Sequence, residues 1–313
     1  MNKTAGGSIG VRRCFEETVC HPSGTQRFGL IMPQLDDNYV FVPEGDYHAP
    51  KALPDGVMRI GADGLAARRL LTPELERVCA GEEVDASPEE PVRIAAFDFD
   101  GTSISGNSPV LLVSHLAKLG MLKKSVIARI MAWAAAYKLR LPQNESWVRT
   151  LVFSAFRGKP VSQVNQFLGT FYEERVEGLF REEIDRIMRD HLEHGHVVVC
   201  VSATFEPIVA KAMTRHPVQF GIATRMQIDD DGCYTDRVDG LPVEGAEKVV
   251  ALKAFADELF GAGRWVLEWA YGDHHSDRDL LAAARHGCAV TPDRPLARTA
   301  RECGYDVLDI DGD

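Results

Sequence analysis

Three apolar runs after residue 90 have the length and composition of buried β-strands. They are VRIAAF at 92–97, HVVVCVS at 196–202 and RWVLEWAY at 264–271. Short apolar runs bounded by polar and turn residues are typical of strands that are covered on both faces. Each of the three runs ends in, or is followed by, a polar side chain.

Helical patterns fill the spaces between these runs. From Pro109 to about His194 the apolar positions predict helices only, including helices over 144–158 and 161–195. Residues 220–240 then predict strands around an Asp-Gly turn. Helices and strands alternate to the end of the chain, which predicts an α/β fold with a doubly wound, mostly parallel sheet.

An acidic, proline-containing segment at 82–91 marks the predicted domain boundary. The residues before it, 1–88, are predicted to be an N-terminal extension with brief strands, turns and a short helix over 72–81. The remaining boundaries divide one domain at 89–313 into a core, 89–104 and 195–313, and an inserted all-helical cap, 105–194.

The amino-acid composition indicates which binding partners and which cellular location to expect. The net charge of −11 argues against a nucleic-acid surface, which needs a basic stripe. Seven scattered cysteines without a CxxC pair suit a reducing compartment, so a cytoplasmic location is predicted. The amino terminus has no apolar core typical of a signal peptide. The longest apolar stretch is interrupted by Arg129 and is too short to span a bilayer, so no integral membrane segment is predicted.

The polar residues at the strand ends suggest a site. Ligands of open parallel sheets bind beyond the carboxyl ends of the strands. Asp98 and Asp100 alternate, so both can face one pocket, and Gly101 permits a tight exit. Ser202 is the last residue of the second run, and Asp273 comes two residues after the third. Carboxylates gathered around one point repel each other unless a cation such as Mg²⁺ binds among them. The sequence therefore predicts phosphoryl transfer, with one carboxylate as the nucleophile.

Four motifs carry a family resemblance. DFDGT at 98–102, VSAT at 201–204, the lysine of GAEK at 245–248 and YGDHHSD at 271–277 resemble the ordered motifs of haloacid dehalogenase-like phosphohydrolases. The resemblance runs over about residues 91–312. The helical insertion and the Asp-Gly hairpin before the lysine resemble the phosphoserine-phosphatase-like branch, subfamily IB with a helical C1 cap. The resemblance implies a Rossmann-like core.

The resemblance also implies roles for individual residues. Asp98 would be the nucleophile and a metal ligand. Asp100 would be the general acid and base, and its backbone carbonyl would reach the metal. Ser202 would hold a phosphoryl oxygen, and Lys248 would neutralise both the phosphate and Asp98.

The later acidic loop and the neighbours of the motif residues complete the predicted site. Asp273 would be a metal ligand, and Asp277 would either support it or bind the metal directly. The implied cofactor is Mg²⁺. Gly101, Thr102 and Ala203 complete the predicted phosphate-binding set.

Competing interpretations apply to several of these residues. The DFDGT stretch could be a calcium loop, but its glycine comes fourth rather than sixth and Pro109, not a glutamate, stands at position twelve. Asp279 competes with Asp277. His274 and His275 could touch substrate or only fill the loop.

A group of histidines allows a different metal. The HLEHGH segment at 191–196 could bind zinc. However, its histidines run from a helix end through a glycine into a strand, and cationic side chains are expected at a helix carboxyl end anyway.

The function predicted from these residues is hydrolysis of a small phosphorylated metabolite through an aspartyl-phosphate. A phosphatidylglycerophosphate-type lipid phosphatase or phosphotransferase is the alternative, and a phosphate-binding protein without turnover is the third hypothesis. In the phosphoserine-specific enzymes of this branch, an acidic residue soon after the first motif and an arginine of the cap bind the amino-acid part of the substrate. Here no acidic residue follows Thr102 in SISGNSPV, so phosphoserine itself is in doubt. Arg149 and Arg157 are the candidate arginines.

Overall fold

The computed structural model describes residues 91–138 and 151–310. The strands are β1 (Val92–Phe97), β2 (Val197–Phe205), β3 (Phe220–Thr224), β4 (Met226–Ile228), β5 (Tyr234–Val238), β6 (Trp265–Gly272), β7 (His286–Val290) and β8 (Asp306–Leu308). The helices are α1 (Ser108–Lys118), α2 (Lys124–Lys138), α3 (Val161–Arg175), α4 (Glu182–Glu193), α5 (Glu206–Met213), α6 (Glu247–Phe260), α7 (Arg278–Ala283) and α8 (Arg294–Cys303). Two short 3₁₀ turns lie at Glu177–Leu179 and His275–Asp277.

Six strands form one sheet in the order β3-β2-β1-β6-β7-β8, and every neighbouring pair is parallel. β1 is central and its last four residues are buried. Ala95 and Phe97 face a core built with α3, α4 and α5, whereas Ile94 and Ala96 face a core built with α6, α7 and α8. Helices therefore cover both faces, and the predicted α/β fold class is confirmed.

The predicted Asp-Gly hairpin is present as a separate two-stranded sheet of β4 and β5. Asp229 Oδ1 accepts hydrogen bonds from the N–H groups of Asp231 and Cys233, and Gly232 takes a positive φ of 72°. An aspartate that bonds to the backbone two residues on is a common way to fix such a turn.

Between β1 and β2, the regular elements of the described residues are helices and a 3₁₀ turn, and isolated β-bridges join Ile104 to Phe180 and Pro160 to Cys233. The helical pattern predicted over 161–195 forms two helices, α3 and α4, with the 3₁₀ turn between them. The backbone between α3 and α4 pairs with the loop after β1: Ser105 N–H donates to Leu179 O, and Arg181 N–H donates to Ser103 O.

The helix predicted over 144–158 ends early. Its described part is helical only to residue 153. Gly158 N–H donates to Tyr234 O and Val161 N–H donates to Gly232 O. The backbone of this segment is therefore hydrogen-bonded to the hairpin of β4 and β5 and does not continue the helix. The N-terminal extension, the acidic linker and Arg149 lie outside the described residues. Within the described ranges, no helix has both the length and the apolar character that crossing a bilayer requires.

The histidines of the HLEHGH segment differ in burial: His191 is buried, His196 is half-buried and His194 is exposed. His191 Nε2 and the Tyr271 hydroxyl are 2.8 Å apart, and His191 Nδ1 is 2.8 Å from His196 Nδ1. His194 Nδ1 instead lies 2.7 Å from Asp190 O. Burial lowers the pKa of His191 to about 4, because a charged imidazolium loses hydration there.

We expect His191 to make the fold sensitive to acid. Its pKa in the folded chain lies below the ordinary value of 6.5, so the unfolded state binds more protons as the pH falls from about 6.5 towards 4. The free energy of unfolding should therefore decline across this window. Urea denaturation at pH 7 and pH 5 should show a smaller decline for His191→Gln than for the wild type.

The matched control for this measurement is His194→Gln, which changes an exposed histidine three residues away. Its decline between the two pH values should equal that of the wild type. An unchanged decline in His191→Gln would contradict the assignment of the acid sensitivity to this buried ring.

Candidate active site

The register of the central strands brings two motif segments together. β1 ends at Phe97, which pairs with Tyr271 of β6. Asp98 N–H then donates to Tyr271 O at 2.9 Å, which holds Asp98 beside the end of β6. Asp273 follows directly after β6. Both aspartates therefore lie at the carboxyl edge of the sheet, as predicted from the strand ends.

Lys248, in the first turn of α6, connects two carboxylates from distant parts of the chain. Its Nζ donates to Asp98 Oδ1 at 2.5 Å and to Asp277 Oδ1 at 2.6 Å. All three side chains are buried. Burial alone would lower the pKa of Lys248, but the adjacent carboxylates of Asp277 and Asp98 outweigh it and raise that pKa above its usual range.

Asp98, Asp273 and Asp277 form one acidic group. One carboxylate oxygen from each lies within 4.8 Å of the others. Burial raises the pKa of Asp98 to about 8, despite the opposing charge of Lys248, and raises that of Asp273 to about 6. Full ionisation of all three carboxylates around one ammonium would leave two uncompensated negative charges. A divalent cation would balance these charges, and carboxylate oxygens are hard donors that suit such an ion.

Close backbone packing holds Asp273 in this group. The Thr102 hydroxyl donates to Asp273 Oδ1 at 2.9 Å. Gly101 has a φ of +84°, and a Cβ on it would lie 2.1 Å from Asp273 Oδ2. Only glycine permits both this conformation and this approach.

Asp277 is held differently from Asp273. Its Oδ1 accepts from Lys248, and its Oδ2 accepts from His274 N–H at 3.1 Å. Both oxygens thus have a donor within the protein. Of the two roles that sequence analysis left open for Asp277, this arrangement fits support of the site better than direct metal binding.

Asp100 has a separate environment at the start of α1. Its Oδ1 accepts from Ser108 N–H at 2.5 Å, and the residue is half-buried. Burial raises the pKa of Asp100 to about 7, against the lowering effect of the bond from Ser108. A carboxyl group with a pKa near neutrality can both give and take a proton at physiological pH.

Hydrogen bonds connect Ser202 to Asp100 through residues that sequence analysis did not single out. Ser202 Oγ accepts from Thr204 N–H at 3.1 Å, and the hydroxyls of Thr204 and Ser108 lie 2.7 Å apart. Ser108 in turn holds Asp100. The Ser-Pro helix start at 108–109 was the only sequence signal for this link.

The other predicted residues have varied positions. Ala203 lies between Ser202 and Thr204, in the part of β2 where the pairing with β3 shifts register. His274 caps the 3₁₀ turn by accepting from Ser276 N–H. Arg157 forms an exposed ion pair with Asp236 of the hairpin.

Two curated relatives and one solved structure show what the chain resembles. The chain is 25% identical to the "Inhibition of morphological differentiation protein" of Streptomyces azureus, over 70% of this chain and 79% of that protein. It is 24% identical to phosphoserine phosphatase SerB1 of Mycobacterium tuberculosis, over 69% of this chain and 70% of that protein. A Bordetella pertussis protein of unknown function shares the fold, with a TM-score of 0.64 and 24% identity over 70% of this chain and 99% of that one.

The family model described as haloacid dehalogenase-like hydrolase matches residues 95–282, which is more than half of the chain. This segment contains all four motifs on which the predicted resemblance was based. The prediction of a phosphatase-type enzyme of this family, related to phosphoserine phosphatases, is confirmed. The chain belongs to the haloacid dehalogenase-like hydrolases.

Proposed function

We propose that this protein is a magnesium-dependent phosphomonoesterase that hydrolyses a small phosphorylated metabolite through an aspartyl-phosphate on Asp98. The observation that carries the proposal is the contact of Lys248 with both Asp98 and Asp277, beside Asp273. These residues come from three different elements, and a phosphatase needs such a combination of nucleophile, cation and acidic metal site.

The residues that would hold Mg²⁺ are Asp98, Asp273 and the backbone carbonyl of Asp100, with Asp277 in support. When bound, the ion would balance negative charge on the acids and on the phosphoryl oxygens. Thr102 and Gly101 contribute by fixing the position of Asp273.

In the first step, Asp98 Oδ2 bonds to phosphorus and the bond between phosphorus and the leaving oxygen breaks. No described residue donates a hydrogen bond to Oδ2, whereas Oδ1 accepts from Lys248. The protonated carboxyl of Asp100 gives its proton to the leaving oxygen, which departs as the alcohol. Lys248 and Ser202 hold phosphoryl oxygens during the transfer.

In the second step, the carboxylate of Asp100 takes a proton from a water molecule. The water oxygen bonds to phosphorus, the bond from phosphorus to Asp98 breaks, and inorganic phosphate leaves. Asp100 is again protonated and ready for the next substrate. Ser108 keeps Asp100 in one orientation through both proton transfers.

We also propose that the predicted helical cap, 105–194, closes over the core, 89–104 and 195–313, to exclude water during transfer. The small-metabolite substrate and the cytoplasmic location remain predictions from the sequence. A turnover screen over amino-acid, sugar, nucleotide and lipid phosphates at neutral pH would identify the ester.

Replacing the proposed nucleophile should abolish turnover. Asp98→Asn keeps the size of the side chain but removes the attacking carboxylate, so hydrolysis of an aryl phosphate should fall by at least about a thousandfold. Asp279→Asn is the matched control, because it makes the same change at a half-buried aspartate in the first turn of α7, which the proposed mechanism does not use. Full turnover in Asp98→Asn would show that another group attacks phosphorus.

Removing the cation should stop the reaction reversibly. Chelation with EDTA should abolish aryl phosphate hydrolysis, and added Mg²⁺ should restore it. Asp273→Asn removes one predicted ligand charge, so it should need at least about tenfold more Mg²⁺ for half-maximal rate. A rate that is indifferent to EDTA would contradict the magnesium assignment, and an unchanged Mg²⁺ requirement in Asp273→Asn would contradict the ligand assignment.

The approach of Gly101 to Asp273 supplies a test of the site geometry. In Gly101→Ala the new Cβ must displace the Asp273 carboxylate, so turnover should fall by at least about a hundredfold. Gly120→Ala is the control, since Gly120 has a similar φ of +68° but nothing within 4 Å of the added Cβ.

The positive φ should make each substitution cost about 1–2 kcal/mol of folding free energy. Gly101→Ala should cost more than Gly120→Ala, because its Cβ also clashes with Asp273. Only the one at Gly101 should stop catalysis. Equal turnover in the two variants would mean that the position of Asp273 does not control the reaction.

A further inference from the structure

The first part of the helical insertion has a charge opposite to that of the whole chain. The protein has 46 acidic residues against 35 lysines and arginines, yet no acidic residue occurs between Gly101 and Asn144. The same stretch contains six lysines and arginines, namely Lys118, Lys123, Lys124, Arg129, Lys138 and Arg140. Acids recur about once in seven positions over the chain as a whole, so this stretch stands out.

The cations gather where α1 ends and α2 begins. Lys118, Lys123, Lys124 and Arg129 are all exposed, and three of them lie within seven residues of one turn. We call residues 118–124 together with Arg129 the basic turn. It lies at the far end of α1 from the candidate site, about 16 Å along the helix from Ser108. A surface bound there would not cover the catalytic acids.

The basic turn has no carboxylate partner within residues 91–138 and 151–310. In the described ranges none of its four cations takes part in an ion pair. Elsewhere in the insertion, by contrast, Arg189 pairs with Asp185 at 2.8 Å, and Glu173 pairs with Lys211 at 2.6 Å. The cations of the basic turn are therefore available to an anionic surface outside the protein.

An exposed leucine lies among these cations. Leu119 is 54% exposed and stands between Lys118 and Lys123 in the sequence. An apolar side chain flanked by lysines suits a bilayer interface, because the lysines attract anionic headgroups while the apolar side chain enters the boundary of the acyl chains. A nucleic acid would need only the cations.

We propose that the basic turn docks this protein onto membranes that contain anionic phospholipids. Charge complementarity supports the anionic lipid, and the position of Leu119 supports a lipid surface over other polyanions. The proposal does not depend on the proposed function, because it concerns a surface one helix length from the site. It would place the enzyme at the membrane surface.

Vesicle co-sedimentation of the full chain tests the proposal. The wild type should partition at least about tenfold more strongly onto phosphatidylcholine vesicles that contain phosphatidylglycerol than onto vesicles of phosphatidylcholine alone. The preference should weaken with added salt, since exposed charges are screened. The triple variant Lys118→Glu, Lys123→Glu, Lys124→Glu should lose the preference, and Leu119→Ser should lose severalfold of it at constant charge.

A matched charge reversal supplies the control. Arg294→Glu, Arg298→Glu, Arg301→Glu makes the same change in net charge on exposed positions of α8 and should retain most of the binding. Absence of a preference for anionic vesicles, or equal losses in the two triple variants, would overturn the proposal. Unchanged binding in Leu119→Ser would overturn the lipid-inserting role and leave only electrostatic attraction. Thermal denaturation of each variant verifies that it is folded.

Discussion

One lysine ammonium buried between two carboxylates is the contact on which the site depends. Lys248 lies within 2.6 Å of both Asp98 and Asp277, although these acids are far apart in the sequence. Buried charges are tolerated only when they are paired. The contact therefore fixes the position of α6 relative to the ends of β1 and β6. It also leaves Asp273 without a basic partner of its own in the described residues, which makes a bound cation the natural complement.

The helical insertion is joined to the core at the places where the chemistry is expected. The backbone after β1 pairs with the segment between α3 and α4, and the Ser108 hydroxyl meets that of Thr204 beside Asp100. Movement of the insertion would therefore also displace Asp100, the proposed general acid. This coupling gives a physical reason why substrate closure and proton transfer can be linked in such a fold.

Sequence reasoning succeeded where a strand end dictates the position of a side chain. The alternation of Asp98 and Asp100 and the order of the strands were sufficient to predict the acidic edge of the sheet. The contacts of hydroxyl groups were harder to predict from the sequence. Ser108 and Thr204 contact each other across 96 positions, and their local patterns look like ordinary helix starts. The hydroxyl of Thr102 donates to Asp273, a contact that its place in the DFDGT motif did not reveal.

The ends of helices were also hard to predict from the sequence, because they depend on contacts with distant parts of the chain. The apolar period continues through 161–195, but the backbone between α3 and α4 is hydrogen-bonded to the loop after β1. Such bonds join residues some eighty positions apart, so a local pattern does not contain them. Tertiary contacts override local propensity at these points.

The central claim is that Asp98 attacks phosphorus and carries the phosphoryl group between two steps. The most direct measurement is mass spectrometry of peptides from the enzyme quenched in acid during turnover of an aryl phosphate. The account predicts the added mass of one phosphoryl group on the peptide that contains Asp98, and its absence without substrate. An unmodified Asp98 peptide under these conditions, with the phosphoryl group on another residue, would contradict the account.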